Sequence, residues 1–115
     1  MDQIENISAL HDFARICNTE PDRGNAKVYA EAWIGLDDDP VIPMREVEIY
    51  FGVNKYGDPD ITIDWNMADL TLKKLGVYSQ FSSKFQYFYI HNERLVIQKD
   101  ETGIDYKITV SANIR

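Results

Sequence analysis

Between Phe85 and Val110 apolar and polar residues alternate through three successive segments, FQYFYIHNERLVIQKDETGIDYKITV, and the period of two predicts a three-stranded antiparallel meander. A turn over Asp100–Gly103 would pair Lys99 with Ile104, and one over His91–Arg94 would pair Ile90 with Leu95. With those loops Phe88, Ile90, Leu95, Ile97, Ile104, Tyr106, Ile108 and Val110 share one face, the expected core. The reverse face mixes aromatic and polar groups: Phe85, Tyr87, Tyr89, Arg94, Val96, Gln98, Asp105, Lys107 and Thr109.

Upstream the period changes. Ile4, Ile7, Leu10, Ala14 and Cys17 recur at helical spacing, widened by Phe13 and Ile16, so residues 2–17 read as an amphipathic helix. Asn6 or Ser8 could cap an internal start, and Asn18 is a left-handed stop before Pro21. The turn-forming TEPDRGN leads into Ala26–Leu36, where Val28, Ala30, Ala32, Ile34 and Leu36 alternate with Lys27, Tyr29, Glu31 and Trp33. The small Ala30 and Ala32 make room for the helix to cross this strand.

After the Asp37-Asp38-Asp39-Pro40 breaker, Arg45–Val53 buries Val47, Ile49, Phe51 and Val53, and Asp60–Trp65 buries Ile61, Ile63 and Trp65. Keeping buried residues opposite one another across an Asn54–Asp58 loop pairs Phe51 with Ile61, Ile49 with Ile63 and Val47 with Trp65. On the other face Glu48 then falls opposite Asp64, with Glu46 and Asp60 nearby, a like-charge arrangement costing ~0.2–1 kcal/mol. Asn66–Gly76 reads as a short helix with Asn66 as cap and Gly76 as stop, and Val77–Ser83 as a connection with room for a short edge strand. The fold class is α+β, an N-terminal amphipathic helix packed on an antiparallel sheet in the order α-β-β-β-α-β-β-β. With 115 residues a single domain, 1–115, is expected.

Charge sharpens this picture. The net charge of −7 is unevenly spread. Residues 31–69 hold ten acids against Arg45 and Lys55, whereas residues 70–115 hold seven bases against four acids. An anionic middle third repels nucleic acid and favours encounter with a basic protein surface. No apolar run approaches the ~20 residues of a membrane span, and MDQIENIS lacks the basic-then-apolar order of a secretion signal. Together with Cys17 as the single cysteine, this suggests a soluble cytoplasmic protein with no disulfide framework.

Catalytic patterns are sparse. None of the six glycines forms a phosphate-cradling loop, and His11 and His91 stand outside any zinc-binding spacing. Asp37, Asp39 and Glu48 fit the first, third and twelfth places of a calcium loop, but Val41 and Ile42 occupy ligand and glycine positions. Pro59-Asp60 with Asp105-Tyr106-Lys107 resembles a metal-dependent nuclease signature only superficially, given the wide separation. The element order resembles the opening of acidic secretion chaperones, whose final helix has no counterpart here. By charge and size alone, the chain is similar to immunity proteins that neutralise toxins and to phage inhibitors of bacterial defence nucleases.

The leading expectation is therefore a non-enzymatic protein-binding module. It would block a basic partner through an anionic sheet face of Glu46, Glu48, Asp60 and Asp64, with the Asp37, Asp38 and Asp39 loop, and would need no metal or other cofactor. One alternative is self-association, giving a homo-oligomer through Tyr87 and Tyr89. Another is a small-ligand-binding or metal-assisted hydrolytic domain.

Overall fold

A computed structural model describes residues 3–19 and 24–112. In chain order the elements are α1 (Gln3–Ile16), β1 (Asn25–Trp33), β2 (Ile42–Val53), β3 (Pro59–Asp64), α2 (Asp69–Leu75), β4 (Gln80–Ser82), β5 (Tyr87–His91), β6 (Arg94–Gln98) and β7 (Lys107–Ser111). The α+β class and the expected order hold, with β4 added as the short edge strand between α2 and the meander. All strands belong to one antiparallel sheet in the spatial order β4-β3-β2-β1-β7-β6-β5.

That order forces the sheet to curl. β4 and β5 lie at opposite edges, yet only residues 83–86 join them. Seven flat strands would put the edges ~29 Å apart, whereas so short a link spans at most ~18 Å. The sheet therefore wraps round an inner face carrying Val28, Ala30, Val47, Ile49, Phe51, Ile61, Ile63, Phe81, Phe88, Leu95, Ile97, Ile108 and Val110, all buried. α1 lies against β5 and β6 on this side rather than across β1, and Phe13 reaches Phe51 on β2 with ring centroids 6.3 Å apart.

The buried stripe of α1 is rotated from the one expected. Ile4 is 75% exposed and Ile16 is exposed, while Asn6, at 4%, joins Ala9, Leu10, Phe13 and Ala14 in the interior. Three backbone groups explain the rotation. Asn6 Nδ2 donates to the carbonyls of Ser83 (2.9 Å) and Gln86 (2.6 Å), and Asn6 Oδ1 accepts the N–H of Phe88 (3.1 Å). A side-chain amide thus satisfies the open edge of β5 and the link to β4, where a capping role was expected. Asn18 does end the helix in the left-handed region, at φ 58°.

The β2–β3 hairpin has the expected five-residue loop and register, with Phe51 opposite Ile61 and Ile49 opposite Ile63. β5 and β6 likewise pair Ile90 with Leu95 around an Asn92-Glu93 tip whose residues have φ of 50° and 61°. β6 and β7 keep the expected parity but slip by two residues. Gln98 pairs with Lys107, and residues 99–106 form a longer loop that leaves Ile104 exposed. Thr102 donates to Asp100 Oδ1 from its amide, Lys99 pairs with Asp105 at 3.2 Å, and these local bonds replace the ladder.

Other ends differ similarly. β1 stops at Trp33, and Gly35 (φ 65°) turns the chain so that Leu36 is 84% exposed instead of buried. α2 begins at Asp69 with Ala68 as cap and no capping side chain, while Asn66 is in a left-handed turn with its N–H on Asp64 Oδ1. Gly76 is the left-handed stop, as expected. No helix of the described residues is long and apolar enough to cross a membrane.

Candidate functional site

Both helices leave the outer face of the sheet uncovered over most of its strands, and the ladders place its side chains in rows. Over β1, β2 and β3 one row is Lys27–Glu48–Asp64; Glu46 lies opposite Tyr29, Tyr50 opposite Thr62, and Asp60 opposite Gly52. Glu48 and Asp64 are therefore direct cross-strand neighbours, as the parity argument requires. Each is held: Asn25 Nδ2 donates to Glu48 Oε1 at 2.6 Å, and Asp64 accepts the Asn66 N–H at 2.9 Å. The Glu48 carboxylate also accepts from the Tyr50 hydroxyl, which raises the Tyr50 pKa above its ordinary value.

Lys27, Glu46, Glu48, Asp64 and Asn66 line a shallow hollow of about 170 Å³. Lys27 partly offsets the repulsion between the two acids, and its placement follows from β1 lying beside β2. Partial burial raises the Asp60 pKa. Among the described residues, no group of three His, Cys, Asp or Glu side chains could hold a metal ion.

The Asp37–Asp39 loop is not brought to this row. It joins the far end of the β1–β2 hairpin, six residues beyond Lys27 along β1 at Trp33, or ~20 Å at ~3.3 Å per residue. The nuclease-like grouping also fails to assemble. Asp60 is on β3 and Lys107 on β7, three strand spacings or ~14 Å apart across the sheet.

The second half of the outer face is built by β1, β7, β6 and β5. Trp33, Lys107, Gln98 and Tyr87 form one row, Glu31, Thr109, Val96 and Tyr89 the next, and Tyr29, Ser111, Arg94 and His91 the third. Tyr87 and Tyr89 meet edge-on at 5.8 Å, and burial and the neighbouring Tyr87 raise the Tyr89 pKa. No helix covers them; Val96 and Gln98 are buried instead by surrounding side chains and by the 99–106 loop. Phe85 lies in the link before β5 and Asp105 in the loop before β7, both exposed and outside these rows.

Trp33 is the functional candidate that sequence reasoning missed here. Its alternation assigns it to an outward face, but nothing local says that β1 pairs with β7 and so brings it to the tyrosines. The outer face is consequently dipolar, with acids over β2 and β3 and the Arg94 and Lys107 cations over β6 and β7. The chain matches no protein-family model, no curated protein and no solved structure.

Proposed function

We propose that this protein is a non-enzymatic binding module whose acidic half-face, Glu46, Glu48, Asp60 and Asp64, docks on a basic patch of a partner protein. The observation that carries the reading is the in-register opposition of Glu48 and Asp64 on a sheet face that neither helix covers. Two like charges opposed in this way cost ~0.2–1 kcal/mol, which Lys27 in the same row only partly offsets; a partner's cationic side chain inserted between them converts the remaining repulsion into attraction. The −7 net charge steers such a partner over distances of a Debye length, ~8 Å at physiological salt. Binding would occlude the partner's cationic site, the logic of an inhibitor or immunity protein, with no cofactor. The exposed Asp37–Asp39 loop lies too far away to share one small contact with Glu48 and would extend a larger one.

The test is affinity capture from the source cell with two baits, the wild type and a Glu48→Lys, Asp64→Lys variant. The reading expects one basic protein retained by the first and lost by the second, with unchanged circular dichroism. Equal retention by both baits would remove the acidic face from the account.

A further inference from the structure

The three rows over β1, β7, β6 and β5 make a basin as well as a patch. Thr109 and Val96, both short and buried, occupy its floor, and larger side chains rise around them: Trp33, Tyr89, Arg94, Lys107 and Glu31. The hollow measures about 420 Å³, inside the roughly 300–1,000 Å³ range of small-molecule sites. Among the described residues neither Arg94 nor Lys107 belongs to an ion pair. Glu31 is opposite Thr109, one row from Lys107 and two strands from Arg94. From the sheet lattice the Glu31 and Arg94 positions are ~12 Å apart.

We propose that this basin binds a nucleoside monophosphate. Its aromatic wall offers Trp33 as a stacking surface for a planar base, and base–aromatic stacking tolerates any π-face. Glu31, two residues from Trp33 on the same face, accepts hydrogen bonds from base amino or imino groups. Arg94 presents a planar fork matched to phosphate oxygens, with the Asn92 amide beside His91 at the same end, while Lys107, directly opposite Trp33, adds a second positive charge to the basin from the base end. The acceptor-to-cation span is comparable with the length of one nucleotide.

Each competing occupant conflicts with a charge. A neutral sugar leaves Arg94 without a counter-charge, and a basic peptide meets Arg94 and Lys107. A nucleic-acid strand continuing past Trp33 would run toward Asp37 and Glu101, which line the adjoining hollow. The acidic half-face does not cancel the basin's field. β2 is three strand spacings from β6, ~14 Å, against a Debye length of ~8 Å.

Intrinsic fluorescence supplies the assay. Trp65 is buried with its indole N–H on the Tyr78 carbonyl, so Trp33 is the tryptophan a ligand can reach. Adenosine, guanosine, cytidine and uridine monophosphates are titrated to millimolar concentration, with the nucleosides and inorganic phosphate as comparators and calorimetry as a second readout. At least one monophosphate should quench saturably and bind more tightly than its nucleoside. Arg94→Ala with Lys107→Ala should weaken it roughly tenfold or more, and Glu31→Gln should alter the order of preference among bases, all with wild-type circular dichroism. Glu48→Lys with Asp64→Lys should leave this affinity intact, so that this site and the proposed protein contact fail separately. The proposal is overturned if none of the four monophosphates binds by millimolar concentration, if affinity survives the Arg94/Lys107 double substitution, or if a single-stranded oligonucleotide binds more tightly than the monophosphate.

Discussion

Replacing Asn6 by Ala probes the contact that closes the curled sheet. The substitution removes two donated bonds, to the Ser83 and Gln86 carbonyls, and one accepted from the Phe88 N–H. Each net contribution is roughly 0.5–1.5 kcal/mol, and a buried backbone group left without a partner costs roughly 1–3 kcal/mol. Because the bonds share one side chain, the values do not simply add. The expected loss is about 3 kcal/mol, a large share of the ~5–15 kcal/mol that holds a domain together. With a urea slope of ~1–3 kcal/mol/M the unfolding midpoint should fall by about 1–3 M. Amide exchange should accelerate first at Phe88, whose N–H loses its acceptor. Asn6→Asp separates the roles: a carboxylate can still accept from Phe88 but repels two carbonyls, so it should be no better than Ala at pH 7 and recover part of the loss when protonated. A midpoint for Asn6→Ala within experimental error of wild type would show that α1 is not fastened to the sheet edge in this way.

Two titratable groups give further expectations. Burial pushes the Cys17 thiol up from 9.0 to about 11, so its thiolate share at pH 8, and with it the alkylation rate, should be about 100-fold below that of the unfolded chain; equal rates with and without urea would contradict its burial. For the same reason its contribution to stability is intact below pH 9.0 and lost as pH rises through about 11. Asp60 is also raised by burial, so the folded state holds that proton more tightly than the unfolded chain. Its stabilising contribution is present in acid, below the ordinary carboxyl range, and lost as pH rises through the folded value. Asp60→Asn should therefore raise the urea midpoint at pH 7 and lose that advantage near pH 3; a lower midpoint at pH 7 would refute the assignment.

The parts legible in the sequence are those that local chemistry decides. The five-residue Asn54–Asp58 loop together with period-two burial leaves one register for β2 and β3, so the Glu48–Asp64 opposition could be read directly. The tight Asn92-Glu93 tip fixes β5 against β6 in the same manner. At β6–β7 parity alone was not enough. Gly103 packs on the Gln98 amide so closely that a Cβ there would collide with it, and the loop stays folded on itself instead of extending the ladder to Ile104.

Long-range partners account for the rest. Apolar spacing places Ile4 inside α1's stripe, but Asn6 wins the buried position through groups 77 to 82 residues away. The pairing of β1 with both β2 and β7 moves Lys27 beside Glu48 and Trp33 beside Lys107, on the rim of the hollow that Tyr89 also lines. Neither neighbour is written in the segment that carries it. The acidic half of the candidate surface was thus readable from one hairpin, while the aromatic basin required the assembled sheet.

Glu48 and Asp64 are proposed to form the contact with a basic protein. Its most direct measurement is the dissociation constant of the captured partner for wild type and for Glu48→Lys, Asp64→Lys across a salt series. The account predicts wild-type binding that weakens steeply with salt and a double reversal that loses at least about 100-fold, since charge pairs at interfaces couple by ~1.5–7 kcal/mol. Affinity that is flat with salt and unchanged by the reversal would contradict it.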